Sequence, residues 1–257
     1  MARPNCIELF KETPIPILYE DRSVLAIDKP AGWMLVPFSW QRTQRNLQAA
    51  ITSSIGAGHY WARSRNLRFL KYVHRLDAAT TGILLFAKSQ GALDSLGALF
   101  ETRQVEKIYL AVSAAAPRQN AWTCSIPLAP DPEQHGLMRP DQRGKDAETA
   151  FRLVASAGGK HLIEARPRSG RQHQIRVHLA LAGCPIVGDE LYGGRLNVPL
   201  GLRAVGLAYR DPFTRRPVAI RASTSEFLAD FGFGNETFAP VFQTVPPQAS
   251  KVRPKGT

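Results

Sequence analysis

Two short segments of the chain bring together side chains that could perform chemistry. In the first, residues 74–82, Asp77 follows a long stretch without acidic residues and precedes a turn that ends at Gly82. A carboxylate can serve as a base or as a nucleophile. An aspartate in a turn often only accepts hydrogen bonds from nearby backbone N–H groups. The local pattern alone leaves both interpretations open.

The second segment, residues 166–178, crowds basic and amide side chains into a loop and the first turns of a predicted helix. Exposed backbone N–H groups at the start of a helix favour anions. The alternative is an ordinary solvated helix face. Ile175 and Val177 are too interleaved with charged residues to form an ordinary apolar stripe. We therefore favour a functional, anion-binding interpretation of this segment.

The overall charge supports a polyanionic partner. The chain has 257 residues, with 33 Lys and Arg against 21 Asp and Glu, so its formal net charge is +12 at pH 7. Because 44% of the residues are hydrophobic, the composition is that of a folded protein and not of a disordered polycation. Residues 59–76 lack acidic side chains and mix basic residues with aromatic ones. Nucleic acid is the favoured partner, and a basic enzyme without a polyanionic ligand is the alternative.

Several chemistries find no support in the sequence. The chain lacks the motifs of a phosphate loop, of a dinucleotide-binding turn and of a serine nucleophile elbow. His173 and His178 lie five positions apart and so fall on different faces of the predicted helix, with no cysteine or acid to complete a metal site. We therefore expect neither a metal nor an organic cofactor.

The cysteines and the N-terminus bear on the cellular location. Cys6, Cys124 and Cys184 are odd in number and scattered, which favours a reducing compartment over a disulfide framework. The first residues carry charges where a signal peptide needs an apolar run, and the chain has no apolar stretch of membrane-spanning length. We expect a cytoplasmic protein without membrane association.

The hydrophobic patterns predict an α+β fold. Alternating or continuous apolar runs predict strands at 17–19, 23–27, 82–87, 107–113, 149–154, 161–166, 204–209 and 218–222. Helices are predicted at 47–55, after the capping residue Ser89, and at 172–182 before Gly183. The strands come in runs, which favours a mixed, largely antiparallel sheet flanked by helices and loops. We expect a lead at 1–15, one catalytic domain at 16–244 and a flexible, basic, proline-rich tail at 245–257.

Four ordered motifs together resemble the RluA-type pseudouridine synthases. These motifs lie at residues 17–32, 74–88, 107–111 and 170–193. Thr81 stands where the family usually has serine, Gln172 replaces a small hydroxyl residue, and residues 202–207 depart from the family's Leu-His-Ala pattern. Fewer than twenty residues precede the first predicted strand, so we expect no S4-type RNA-binding domain.

The resemblance implies an isomerase that converts uridine to pseudouridine in structured tRNA or rRNA. By this resemblance Asp77 is the catalytic carboxylate, Arg176 pairs with it, and Tyr109 stacks on the target base. The uridine must leave the base stack to react, and Arg75 would occupy the space that it vacates. The resemblance implies no cofactor.

Basic residues on both sides of Asp77 are the expected RNA contacts. They are Arg63, Arg65, Arg68, Lys71, Arg75, Arg171 and His173. Trp61 or Tyr72 could stack on loop bases, or could equally be core residues. A monomer without an obligatory protein partner is expected. A non-catalytic RNA-binding module and a base-removing glycosylase are the competing functions.

Overall fold

The computed structural model describes residues 3–9, 13–35, 45–194, 197–234, 238 and 240–243. The strands are β1 (Cys6–Ile7), β2 (Ile15–Glu20), β3 (Val24–Lys29), β4 (Lys71–Tyr72), β5 (Thr81–Ala87), β6 (Glu106–Ser113), β7 (Ala121–Cys124), β8 (Leu128–Pro130), β9 (Met138–Pro140), β10 (Thr149–Ala157), β11 (Lys160–Pro167), β12 (Leu202–Arg210) and β13 (Pro217–Arg221). The helices are α1 (Leu47–Gly56), α2 (Tyr60–Arg63), α3 (Gln90–Glu101), α4 (Gln174–Leu181) and α5 (Ser225–Asp230).

One large mixed sheet organises the molecule. Its strand order is β1-β2-β3-β5-β12-β6-β11-β10-β7, with β4 added to β5 and β13 to β12. Among the strands that the structure describes, β5 and β12 pair in parallel and the other pairs are antiparallel. Strands β8 and β9 form a separate ribbon. The predicted α+β class with a largely antiparallel sheet is confirmed.

Local sequence features account for the start of α3, the two faces of β6 and the end of α4. Ser89 Oγ accepts a hydrogen bond from the backbone N–H of Ala92, so this serine begins α3 as predicted. In β6, Ile108 packs with the cluster around α5, whereas Tyr109 faces the clusters on the other side of the sheet. This is the alternation that the period of two predicts for a strand. Helix α4 ends before Gly183, whose φ of +78° fits the left-handed residue after a helix.

The parallel contact between β5 and β12 joins the two halves of the sheet. Gly82 has a φ of +107°, and a Cβ there would lie 2.1 Å from the carbonyl oxygen of Ala204. A side chain at this position would force the two strands apart, so glycine is required by both backbone conformation and space. Asp77 lies just before this junction, in the turn that leads into β5.

Residues 202–207, which depart from the family pattern, belong to the central strand β12, whose pairing with β6 shifts register between Ala204 and Gly206. Its Arg203 donates hydrogen bonds to the Asp28 carboxylate and to the Ser223 carbonyl oxygen. The arginine therefore ties the centre of the sheet to β3 and to the segment after β13.

The N-terminal lead contributes to the sheet. Strand β1 pairs with the start of β2, and Ile7 is fully buried in the core. Strand β2 begins at Ile15, so the boundary expected between residues 15 and 16 falls inside a strand. The expected tail, residues 245–257, lies outside the described residues.

Candidate active site

The buried side chain of Lys29 holds the turn that carries Asp77. Lys29 Nζ donates to the carbonyl oxygens of Ala78 and Thr80, both at 2.9 Å, and of Pro30 at 3.0 Å. The backbone N–H of Gly32 also donates to the Ala78 carbonyl oxygen, at 2.8 Å. Burial lowers the pKa of Lys29 to about 8, although Asp77 favours its charged form. Lys29 thus fixes the backbone on the C-terminal side of Asp77.

Arg176 of α4 binds two carboxylates at once. Its Nη1 donates to Asp77 Oδ2 at 3.1 Å, while Nε and Nη2 donate to the two oxygens of Asp189 at 2.8 and 2.7 Å. Burial disfavours the charge of this guanidinium, but hydrogen bonds to Asp189 and the nearby Asp77 raise the pKa of Arg176 overall. The arginine is therefore a fixed cation beside Asp77.

Tyr109 faces the same space from the middle of β6. Burial, and secondarily the charge of Asp77, raise its pKa well above that of a free phenol. At neutral pH the side chain is therefore a neutral phenol, which offers a flat ring and a hydroxyl group that keeps its proton.

Asp77, Tyr109 and Arg176 line one open cavity of about 470 Å³. This volume lies within the range of about 300–1,000 Å³ that is typical of sites for small ligands. The basic side chains in its wall are His74, Arg75, Arg103, Lys107, Arg171, His173 and Arg176. The cavity can therefore hold a small group against a carboxylate while its rim attracts an anion.

Lys107 and Arg103 are members of this rim that the sequence interpretation missed. Lys107 Nζ donates to the Ser169 carbonyl oxygen at 2.7 Å. Burial, and then the neighbouring Arg103, lower the pKa of Lys107 to about 8. The sequence could have placed Lys107 in the site, because this residue lies two positions before Tyr109 and so shares its face of β6.

The structure separates the expected RNA contacts into three groups. Arg75, Arg171 and His173 lie at the cavity. Arg63, Arg68 and Lys71 are exposed outside it. Arg65 is a correction: its side chain is 3% exposed and donates to Glu20 at 2.8 Å and to the Pro4 carbonyl oxygen at 2.7 Å. These internal partners already bind the Arg65 guanidinium, which argues against a contact with phosphate.

Of the two aromatic residues expected to stack on bases, one is buried and the other lines the cavity. Trp61 is fully buried, and its Nε1 donates to Ser54 Oγ at 2.8 Å, so it is a core residue that no base can reach. Tyr72 is half-buried and lines the cavity. The core alternative therefore holds for Trp61, whereas Tyr72 remains available to a ligand.

His173 lies closer to Asp77 than its expected role at the RNA surface implies. Its Nε2 is 3.7 Å from Asp77 Oδ2, and its Nδ1 is 2.8 Å from the hydroxyl oxygen of Tyr192. Burial lowers the pKa of His173, against the opposing effect of Asp77. At neutral pH it is therefore a neutral ring in the wall of the site.

The described ranges contain neither a cluster suited to a metal ion nor a membrane-spanning helix. No three His, Cys, Asp or Glu side chains of these ranges are grouped so that they could hold a metal ion. Within the same residues, no helix has the length and apolar character needed to cross a membrane.

Comparison with known proteins identifies the family. A family model described as RNA pseudouridylate synthase matches residues 23–181. The chain belongs to the RNA pseudouridylate synthase family. The resemblance predicted from the four motifs is therefore confirmed, and the matched range includes Asp77, Tyr109 and Arg176.

Bacterial synthases of this family match most of the chain. Ribosomal large subunit pseudouridine synthase D of Xanthomonas campestris pv. campestris is 35% identical over 221 residues, which are 85% of this chain and 63% of that protein. Ribosomal large subunit pseudouridine synthase C of Vibrio vulnificus is 33% identical over 222 residues, which are 82% of this chain and 66% of that protein. The chain thus spans just under two thirds of the length of these relatives.

A solved synthase structure supports the fold. Human RNA Pseudouridylate Synthase Domain Containing 4 has a TM-score of 0.68 and 25% sequence identity, covering 83% of this chain and 90% of that one. The mixed sheet described above is therefore the pseudouridine synthase fold.

Proposed function

We propose that the protein isomerises a specific uridine to pseudouridine in structured RNA. The observation that carries this proposal is the pairing of Asp77 with Arg176 in a cavity that Tyr109 also lines. An ionised carboxylate held by a guanidinium is the group that this reaction requires beside the ribose.

The reaction breaks the C1′–N1 bond, rotates the released uracil and forms a C1′–C5 bond. Asp77 either attacks C1′ directly or removes a proton from the ribose, and each route restores the carboxylate at the end. The hydrogen on C5 leaves as a proton and N1 gains one, so substrate and product have the same atoms. No oxidant, reductant or group donor is consumed, and we propose no metal or organic cofactor.

The uridine has to leave its helix or loop stack to reach Asp77. In the proposal, Tyr109 stacks on the flipped base and Arg75, which is exposed at the cavity, fills the vacated position. Arg171 and Lys107, which also line the cavity, would contact phosphates beside the flipped nucleotide. Arg63, Arg68 and Lys71 would contact phosphates farther along the RNA.

Ribosomal RNA is the favoured substrate, because the two bacterial relatives are named for the large ribosomal subunit. Transfer RNA is the alternative. Pseudouridine mapping in both RNA classes, from cells with and without the gene, decides between them. We further propose that the protein is cytoplasmic, is a monomer and needs no protein partner. The mass of the purified protein in solution tests whether it is a monomer.

Release of tritium from RNA labelled at uridine C5 tests the activity, because this hydrogen must leave when C5 bonds to the sugar. Asp77→Asn keeps the size of the side chain but removes the ionised oxygen. We expect it to reduce release to background and to change RNA affinity by less than about tenfold, since phosphate contacts dominate binding. Asp230→Asn, an exposed residue at the end of α5, is the matched control and should behave as wild type.

The competing functions give different products in the same assay. A base-removing glycosylase would release free uracil, and an RNA-binding module would release no tritium. Release at near wild-type rates by Asp77→Asn would show that another carboxylate is the catalytic one.

A further inference from the structure

A chain of polar contacts runs from the β8–β9 ribbon to the candidate carboxylate. The backbone N–H of Met138, in β9, donates to the hydroxyl oxygen of Tyr192 at 2.9 Å. That oxygen is 2.8 Å from Nδ1 of His173, whose Nε2 is 3.7 Å from Asp77 Oδ2. The ribbon is thus connected to Asp77 through two side chains.

The hydrogen bonds in this chain favour one tautomer of His173. A backbone N–H can only donate, so the Tyr192 oxygen accepts from Met138. The hydroxyl hydrogen of Tyr192 is not used in that contact and can be donated to Nδ1 of His173, and the Asp77 carboxylate favours the same tautomer because it attracts an N–H at Nε2. A neutral imidazole that accepts at Nδ1 carries its own proton on Nε2. The network therefore turns an N–H donor toward Asp77.

Packing holds both rings of the chain in place. The rings of His173 and Tyr192 meet edge to face, with centroids 5.6 Å apart, and the guanidinium of Arg176 lies 5.2 Å from the centre of the Tyr192 ring. His173 also adopts a left-handed backbone conformation, with a φ of +54°, immediately before α4. Residues other than glycine rarely adopt this conformation, and such strain persists where the surrounding structure enforces it.

Four charged residues and one tyrosine interact with the His173 ring. They are Asp77 and Arg75 from the loop before β5, Arg176 from α4, and Asp189 and Tyr192 from the turn after α4. The two acidic residues favour a protonated ring and the two arginines oppose it. Since the ring is also buried, the neutral form with a single N–H prevails at neutral pH.

We propose that Met138, Tyr192 and His173 form a positioning relay that keeps the Nε2–H of His173 turned toward Asp77 and so holds the carboxylate in its reactive orientation. This proposal rests on the proposed catalytic role of Asp77. At 3.7 Å the contact is longer than a hydrogen bond, so the N–H dipole attracts the carboxylate across a gap that a small ring shift closes. His173 and Tyr192 are positioning residues, because they act on the reaction through Asp77.

Tyr192→Phe is the informative variant, because phenylalanine keeps the ring contacts with His173 and Arg176 and removes only the hydroxyl group. Without that hydroxyl the His173 proton is free to move to Nδ1, which turns a lone pair toward Asp77. We expect kcat to fall by about tenfold at pH 7.5, the size of one lost hydrogen bond, with little change in KM.

Lowering the pH should rescue this variant relative to wild type. A protonated imidazole carries N–H groups on both nitrogens, so the donor toward Asp77 returns without help from Tyr192. The ratio of wild-type to Tyr192→Phe activity should therefore shrink as the pH falls below the usual pKa of histidine, because burial lowers the pKa of His173. A purely structural defect would leave this ratio constant, and a constant ratio would overturn the proposal.

The variant His173→Phe supplies the second arm of a double-mutant cycle. It should lose activity without rescue at low pH, and adding Tyr192→Phe to it should cause no further loss of kcat. Independent losses in the double variant would show that the two residues do not act through each other.

The histidine tautomer can be measured without any turnover. In protein labelled with nitrogen-15 at histidine, the ring shifts of His173 can be assigned with His173→Phe. They should show the proton on Nε2 in wild type and a mixture of the two neutral tautomers in Tyr192→Phe. A proton on Nδ1 in wild type would refute the relay. Failure of the wild type to release tritium would instead refute the proposed function, so the two failures are distinguishable.

Discussion

Arg176 binds Asp189 through two parallel hydrogen bonds and so presents its remaining terminal nitrogen, Nη1, to Asp77. Asp189 is 1% exposed and also accepts from the backbone N–H groups of Leu191 and Tyr192. The orientation of the guanidinium is therefore set by a buried carboxylate on the far side from the cavity. Asp189 is thus a structural partner of the site.

Arg176→Met should reduce both stability and turnover. It leaves the buried Asp189 without its counter-charge, a change that typically costs about 3–5 kcal/mol, and leaves Asp77 without its guanidinium. Denaturant unfolding and tritium release measure the two effects. Arg168→Met is the control, because its contact with Glu148 is exposed and contributes no more than about 1 kcal/mol. Equal stability losses in the two variants would contradict this account.

RNA affinity should depend steeply on salt, and individual arginines should contribute unequally. Arg68→Met removes an exposed cation and should lower both the affinity and the salt slope, by about one unit of slope if it neutralises one phosphate. Arg65→Met, three residues earlier, should keep the wild-type slope because the guanidinium is already bound by Glu20 and by the carbonyl oxygens of Pro4 and Trp61. Binding titrations between low and physiological salt make the comparison, and a reduced slope for Arg65→Met would show that it contacts RNA.

Lys29→Met should loosen the turn that carries Asp77. The carbonyl oxygens of Pro30, Ala78 and Thr80 lose a charged donor, and at least two of them are left unsatisfied, at a cost of about 2–4 kcal/mol. Tritium release should fall as well, since the backbone beside Asp77 is no longer fixed. Thermal unfolding should show no comparable loss for Lys71→Met, whose side chain is exposed. A stable, fully active Lys29→Met protein would remove Lys29 from the support of the site.

The stability of the protein should depend on pH through Lys107. Its pKa is lowered to about 8 in the folded protein, against roughly 10.4 in an unfolded chain. Between these values the unfolded state binds more protons, so raising the pH stabilises the folded state. Wild type should therefore gain stability relative to Lys107→Met as the pH rises from about 8 to 10. Lys29 titrates in both proteins and cancels in this difference, and a pH-independent difference would contradict the assignment.

Short-range patterns predicted the elements well because the determinants are local. Ser89 caps the helix that directly follows it, and the alternation in β6 separates Ile108 from Tyr109 whatever packs on either face. Lys107 could have been placed in the site by the same alternation.

Short-range patterns could not identify contacts between residues that are far apart in the sequence. Arg65 was expected at the surface because its neighbours in the sequence are basic, but its partner Glu20 lies 45 residues away along the chain. Trp61 is buried for a similar reason, since nothing in residues 59–76 specifies the packing of α2 on α1 and β1. The pairing of Asp77 with Arg176 came from the family resemblance, because no local spacing links residues 99 positions apart.

The position of β12 between β5 and β6 determines when the site can form during synthesis on the ribosome. Asp77 precedes β5 and Tyr109 belongs to β6, yet the strand that sets the distance between them begins only at Leu202. Contacts this distant in sequence form late, because the intervening chain must first be ordered. A nascent chain that exposes both residues therefore has no active site. The proposed activity therefore requires that the chain has been made and folded at least through β12.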